Sequence, residues 1–591
     1  MRLKTTKTAN TTNYYAIIDI KTKEGKRSTK IYKRLGNEQE ISKISNGEPP
    51  IEWAKKQVAE LKKAYEEKTL KIIAEYSQNE LIEKDTQNLF NGGYLFLQDI
   101  YYDLGLDKIC KSISEKYRIK YDLNSILSNL IYTRFIEPSS KLSAFETAKT
   151  LLEQPNFQLQ NIYRALEVIS SETENIEAKI YKNSLNVVNR NTKILYYDCT
   201  NYFFEIEEAE GLKQFGLNKE NRPLPIVEMG LFMDGDGFPL AFVIDSGNVN
   251  EQVTLKPLEK QIIKDFELSK FVVCTDAGLA SKENRMFNNI QDRSYIVTQS
   301  LKKIKGHLKE WALSKEGWHK LNSKKELNLE NIDNSSSNEE IYYKERWINE
   351  DGLSQRLIVS YSPKYAAYQR HIRMKQIERA QNLINNPTKI SKNKQNDPKR
   401  FIKSASITND GEVASKKIFT LNQETIKNEE AFDGFYAVCT TLEDDISEII
   451  KVNKRRWEIE ESFRILKSDF KARPVYLKRD DRIKAHFTTC FLSLLIYRIL
   501  EHKLKEKYSS DQIIKTLRNM NFLKKDGAGY IPTYMRTDLT DLLHEVFGFR
   551  TDTEIIPEKE IKKILNKTKK EKSTHFLLTH LKPTTQSFSA L

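Results

Sequence analysis

The chain has 591 residues, with 96 Lys and Arg against 82 Asp and Glu, a net charge of +14 and 30% charged residues; it is too long for one core, and its basic excess suits a polyanionic partner, nucleic acid before membrane. Five scattered cysteines without a CxxC pair exclude a zinc ribbon and a disulfide framework and point to a reducing cytoplasm. The start MRLKTTKTANTTNYY has no apolar leader, and the longest apolar run, CFLSLLIY, falls well short of the roughly 20 residues a bilayer span requires; with neither HExxH nor a Gly-rich Lys/Ser phosphate loop, a membrane protein, a zincin and a P-loop enzyme are all disfavoured.

Residues 14–36 alternate apolar and polar positions around an EGK turn, which predicts a β-hairpin with a basic face in a region spanning 1–50. Residues 51–188 turn helical, with breaks at Gly105 and at EPSSK, where Pro138 and Ser139 should end one helix and start another. A helical, basic amino-terminal third fits a unit that reads DNA ends. The texture changes near 189. KILYYDCTNYFFE reads as a strand, IVEMGLFMDGDGFPLAFVI as two strands joined at DGDG, residues 251–266 as a helix, and KFVVCTDAG as a fourth strand, giving the first part of a mixed α/β core over 189–300. Asp234 and Asp236 are read as turn acids, because a calcium loop would need an oxygen ligand where Phe238 stands.

Residues 301–432 are expected to form an inserted, β-rich domain. Strands are predicted at YYKERWI and LSQRLIVSYS, a charged helix over 364–385, and a basic linker or DNA-facing loop at TKISKNKQNDPKRFIK. The core resumes over 433–507 with the strand DGFYAVCT, the helix around RRWEIEESFRILK and the apolar helix 483–507. Residues 508–591 are expected to form a helical carboxyl-terminal region that includes the basic run KEIKKILNKTKKEK (559–572) and is a candidate dimerisation region.

Three acids stand out. Asp198 sits inside a strand among apolar neighbours, where a carboxylate is costly unless paired, capping a turn or bound to metal. Asp276 precedes Ala277 and Gly278 at the carboxyl end of a strand, where α/β sheets keep their sites. At about 100° per residue, Arg456, Glu460, Arg464 and Lys467 fall within roughly 40° either side of Glu460, beside an apolar stripe of Ile459, Phe463, Leu466 and Phe470. That line is either an i,i+4 ion-pair ladder or a site where the carboxylate holds a divalent cation and the bases hold phosphate. Glu461 points roughly 100° away. Trp457 either stacks on an unpaired base or belongs to the core.

DCTNYFF around Asp198, TDAGLASKEN around Asp276 and RWEIEESFRILK around Glu460 resemble the three acidic motifs of the DDE transposases of bacterial insertion sequences. The spacing is similar to that of the Insertion Sequence Four-like superfamily, whose signature of tyrosine, arginine, glutamate and lysine lands on Asn453, Arg456, Glu460 and Lys467; asparagine in place of tyrosine is a departure. PSSK (138–141), LAFVIDSGNVNE (240–251) and the AHF around His486 extend the resemblance over most of the chain.

The resemblance implies a ribonuclease H-like α/β core interrupted by the insertion, and cut-and-paste transposition in which Asp198, Asp276 and Glu460 hold two Mg²⁺ ions, with Mn²⁺ as a substitute. Arg456 and Lys467 would hold phosphates beside the scissile bond, with Arg464, Trp457 and Asn453 as further DNA contacts. The implied partners are double-stranded DNA, as terminal inverted repeats and target, and a second copy of the chain on that DNA, with no membrane. The implied setting is the bacterial cytoplasm and nucleoid. A transposase-derived DNA-binding protein without catalysis and a ribonuclease H-like nuclease are the competing expectations.

Overall fold

The computed structural model describes residues 1–570 except 9–10, 22–26, 46, 70–77, 80, 82, 322, 324, 336, 351, 386–396 and 408–415. These residues divide into two compact units, one of 1–88, 523–532 and 551–561 and one of 89–522, 533–550 and 562–570.

In the first unit, β1 (Arg2–Thr8), β2 (Thr11–Lys21) and β3 (Arg27–Asn37) make an antiparallel sheet, followed by α1 (Glu38–Ile44) and α2 (Pro50–Thr69). The predicted hairpin is β2–β3, with β1 added on the far side of β2; its EGK turn lies outside the described residues. Asn37 starts α1 because its Oδ1 accepts from Glu40 N while Glu40 Oε2 accepts from Asn37 N, both at 2.8 Å, so two otherwise orphaned amides are satisfied. Tyr14, Ile41 and Ala54 form the small core.

The second unit begins with β4 (Leu89–Asn91) and a helical array: α3 (Leu95–Asp103), α4 (Leu106–Tyr117), α5 (Leu123–Ile136), α6 (Lys141–Ala148), α7 (Leu159–Ser171) and α8 (Thr173–Ser184). The breaks fall where the sequence places them. Gly105 adopts a left-handed φ of 64° between α3 and α4, and Ser140 caps α6 by accepting from Ser143 N at 3.2 Å.

Next come β5 (Ile194–Phe203), β6 (Ile226–Asp234), β7 (Pro239–Ser246), α9 (Leu255–Asp265), β8 (Val272–Thr275), α10 (Lys282–Phe287), β9 (Ser294–Thr298) and α11 (Gly306–Leu313). They are followed by β10 (Trp318–Lys320), β11 (Glu326–Leu327), β12 (Tyr342–Glu350), β13 (Leu353–Tyr361), α12 (Pro363–Ile384), the hairpin β14 (Ile402–Ile407) and β15 (Lys416–Leu421), α13 (Gln423–Glu430) and β16 (Phe435–Thr440). Among the described residues one mixed sheet of ten strands runs β11-β10-β12-β13-β16-β9-β8-β5-β6-β7. β5, β6 and β7 form an antiparallel meander, whereas β5, β8 and β9 are parallel.

This sheet changes the expectation of a separate insertion domain. β12 and β13 join the core sheet through β16, which pairs with both β13 and β9; had they stood apart, β16 would be an unpaired edge. Of the insertion, β14–β15 forms its own two-stranded sheet, packed with α12 and α13 around Ala380, Phe401 and Ile426. Most of the predicted basic linker, residues 388–396, lies outside the described residues. The strand β9 (SYIVT) was not predicted.

After β16 come α14 (Ile446–Lys454), α15 (Trp457–Arg464), a π-helical turn at Ile465–Asp469, α16 (Asp480–Lys503) and α17 (Ser510–Asn519). α16 alone among the described helices has the length and apolarity to cross a membrane, but 94% of that window is buried inside the protein, against α3, α5 and α7. It is the spine of the main core. The DGDG segment is the predicted turn: Asp234 Oδ1 accepts from Asp236 N and Phe238 N at 3.1 and 3.0 Å, and its Oδ2 accepts from Arg190 Nε at 2.6 Å, both partners fully buried.

Candidate active site

The parallel pairing of β5 with β8 sets Tyr196 opposite Cys274, so two residues further along each strand come Asp198 and Asp276. Asp276 lies just past the end of β8, where Leu279 N donates to its Oδ1 at 3.1 Å. Gly278 completes that turn because a Cβ there would stand 3.3 Å from the Asp276 carboxylate. Asp198 Oδ1 accepts from Cys199 N at 2.8 Å. Burial first, and the Asp276 charge second, push the Asp198 carboxyl up to about 6, against the opposing pull of Lys219, the Cys199 amide and Arg456. Two oxygen donors that repel one another on neighbouring strands are suited to a hard divalent cation, which would relieve the repulsion and take oxygen ligands.

The third acid, Glu460, is on α15, which packs on β5. Glu460 is exposed, and among the described residues its side chain has no hydrogen bond or ion pair. The three carboxylates are not all gathered within 4.8 Å of one another. The ion-pair ladder does not form: Arg464 turns to Glu461, with Nε and Nη2 at 2.7 and 2.6 Å from its two oxygens, and also reaches Ser510. Arg456 is half-buried, with Nη1 donating to Thr298 Oγ1 at 3.2 Å, and it interacts electrostatically with both Asp198 and Asp276.

Lys467 stands in the π-helical turn, a widening of the helix frequent at functional sites. Its Nζ donates to Thr200 Oγ1, two residues beyond Asp198, and lies 5.4 Å from the centroid of the Tyr202 ring. Burial first, and the nearby Lys219 second, push its ammonium down to about 8, against the pull of Glu228 and Asp198. The strands, α15 and the π-helical turn thus bring Asp198, Asp276, Arg456 and Lys467 to one neighbourhood, while Arg464 is committed elsewhere.

Glu460, Arg456, Asn453 and Trp457 line a cleft of about 920 Å³, together with Lys364, Tyr365 and Tyr368 of α12, Tyr436 of β16 and Lys454. Trp457 is 59% exposed, so it is not a core residue. Tyr365 and Tyr368 are also exposed and lie near-parallel, with ring centroids 6.4 Å apart. Asn453 is buried, and its Nδ2 donates to Tyr436 Oη at 3.1 Å.

Sequence reasoning missed several of these groups. Lys219 donates to the Cys199 carbonyl at 2.7 Å and pairs with Glu251 at 2.7 Å, beside Asp198. It sits in a loop with no local periodicity, and only its charge marks it. Glu228 on β6 is buried near Asn201, and burial first, then Glu251, push its carboxyl up to about 7. An acid in a fully buried strand segment was the available signal, the same one that singled out Asp198.

Residues 218–496 match the family described as the transposase DDE domain. The matched span contains Asp276 and Glu460 and begins after Asp198. No curated protein matches the chain. Among solved structures, the cryo-EM structure of the piggyBac transposase synaptic complex with hairpin DNA is similar over 80% of this chain and 84% of that one, at 9% sequence identity and a TM-score of 0.35. Residues 218–496 thus carry a transposase DDE domain, which takes in the second and third acids of the predicted set and supports a DNA transposase function.

Proposed function

We propose that the protein cuts its own element out at the terminal inverted repeats and joins it to target DNA, with Asp198, Asp276 and Glu460 as the acidic set and Arg456 and Lys467 as phosphate clamps. The observation that carries this reading is the placement of Asp198 beside Asp276 on parallel strands, with the Asp198 carboxyl held up to about 6. The meander β5–β7 joined to parallel β8 and β9 supports a ribonuclease H-like layout, and the spacing Asn453, Arg456, Glu460, Lys467 supports the Insertion Sequence Four-like group. Two Mg²⁺ ions held by the three acids would activate the attacking water or DNA 3′-hydroxyl and stabilise the leaving oxygen.

The chain's own residues do the rest. Arg456 and Lys467 flank Asp198 and offer fixed N–H donors to phosphate oxygens. Trp457, Tyr365 and Tyr368 present aromatic faces to DNA beside Glu460. Joining two ends calls for two protomers on DNA, and the setting is the cytoplasm and nucleoid. The test is cleavage and strand transfer of DNA carrying paired element ends, with Mg²⁺ or Mn²⁺ added, by the wild type and by Asp198→Asn. Loss of both reactions in the variant with DNA binding retained is expected; a variant that still cleaves would remove Asp198 from the set. Cleavage without joining by the wild type would instead favour a nuclease.

A further inference from the structure

Asn453, Tyr436, Thr298 and Arg456 form one hydrogen-bonded chain. Asn453 Nδ2 donates to Tyr436 Oη at 3.1 Å, Tyr436 Oη and Thr298 Oγ1 are 2.6 Å apart, and Arg456 Nη1 donates to Thr298 Oγ1 at 3.2 Å. The sheet builds this contact: β9 and β16 pair antiparallel with Thr298 opposite Val438, so Tyr436, two residues from Val438, shares a face with Thr298.

Both ends of the chain are obligate donors, an amide NH₂ and a guanidinium. The two hydroxyls between them own two hydrogens, and their mutual bond uses one. The other has no acceptor among the described residues. Of the two hydroxyl residues it is Tyr436 that lines the cleft with Glu460, Arg456 and Asn453. The arrangement that uses every group therefore runs from Arg456 N–H to Thr298, from Thr298 O–H to Tyr436, and from Tyr436 O–H into the cleft. Asn453 donates to the same phenolic oxygen, and each bond polarises the next toward the phenol.

We infer that Tyr436 is a DNA-binding residue of this transposase, its phenol donating a hydrogen bond to a phosphodiester oxygen beside Glu460, with Asn453 and Thr298 as the residues that aim it. The inference rests on the reading of this cleft as the place where Arg456 holds DNA.

The test uses the full chain and a duplex carrying one element end with its flank, in a series with one phosphate at a time replaced by a neutral methylphosphonate. Dissociation constants are measured for the wild type, Tyr436→Phe and Arg456→Gln. The wild type should show a phosphate whose replacement weakens binding about tenfold, the size of one hydrogen bond to a charged group. Tyr436→Phe should bind unmodified DNA weaker by a similar factor and lose little more when that same phosphate is replaced, which a merely structural defect would not produce. If Tyr436→Phe keeps the wild-type sensitivity at every phosphate while Arg456→Gln loses it at one, the Tyr436 assignment is wrong and the DNA reading of the cleft stands. If neither variant alters the contribution of any phosphate, both are wrong.

Discussion

Arg464 closes on Glu461 and leaves Glu460, four residues before it, without a partner among the described residues: its Nε and Nη2 reach the two Glu461 oxygens at 2.7 and 2.6 Å. Of two adjacent glutamates on one helix, one is spent on an ion pair and the other lines the cleft. The pair is partly exposed, so Glu461→Gln should lower stability by less than about 1 kcal/mol near neutral pH. The Arg464 hydrogen bonds hold the Glu461 carboxyl below its ordinary 4.5. A depressed carboxylate contributes stability above its unfolded pKa and loses it as pH falls, so the difference between variant and wild type should vanish in acid, as read by thermal melting across pH.

Asp198 has the opposite sign. Burial and Asp276 raise its carboxyl from 3.8 to about 6, so folding favours the protonated form. That contribution is complete below the unfolded value and is lost as pH rises through about 6. Asp198→Asn, which cannot ionise, should therefore be more stable than the wild type above pH 6 by about 1–3 kcal/mol, with no gain below pH 4. Added Mg²⁺ should raise the melting midpoint of the wild type and do so less for the variant.

Arg190 and Asp234 are paired at 2.6 Å with side chains 1% and 0% exposed. Asp234→Ala would leave a buried guanidinium uncompensated and release the turn amides of Asp236 and Phe238, at a cost of about 3–5 kcal/mol by urea denaturation. Replacing both partners with apolar residues of similar size should cost less than Asp234→Ala alone.

Lys467, held down to about 8 by burial and Lys219, sheds its proton as pH rises through that value. DNA affinity at constant salt should fall about tenfold between pH 7 and pH 9.5 as one charged contact is lost, with the midpoint moved upward by a bound phosphate. Lys467→Arg, charged throughout, should show a flatter profile; an identical profile would take Lys467 out of the DNA contact.

Much of this fold was legible because its strands carry the β-branched and aromatic runs that define them: β5, β6, β7, β8, β12, β13 and β16 all fall where those runs predict. Asp198 was legible as an acid in an apolar strand. What was not legible depends on pairing at long range. β9 is only five residues long, and nothing near it announces that it will join β8 to β16. That β12 and β13 would extend the core sheet follows from the same missing link. Tyr436 read simply as part of a strand; its role depends on Thr298, Asn453 and Arg456, which reach it from β9, α14 and the start of α15. The π-helical turn that carries Lys467 was likewise hidden behind an ordinary helical pattern.

The most direct measurement is cleavage and strand transfer of DNA with paired element ends by the wild type, Glu460→Gln and Glu461→Gln, with DNA binding followed in parallel. Glu460→Gln should abolish both reactions while leaving binding in place, and Glu461→Gln should remain active. A Glu460→Gln protein that cuts and joins like the wild type would contradict the assignment of the third acid and with it the reading of this helix as part of the catalytic site.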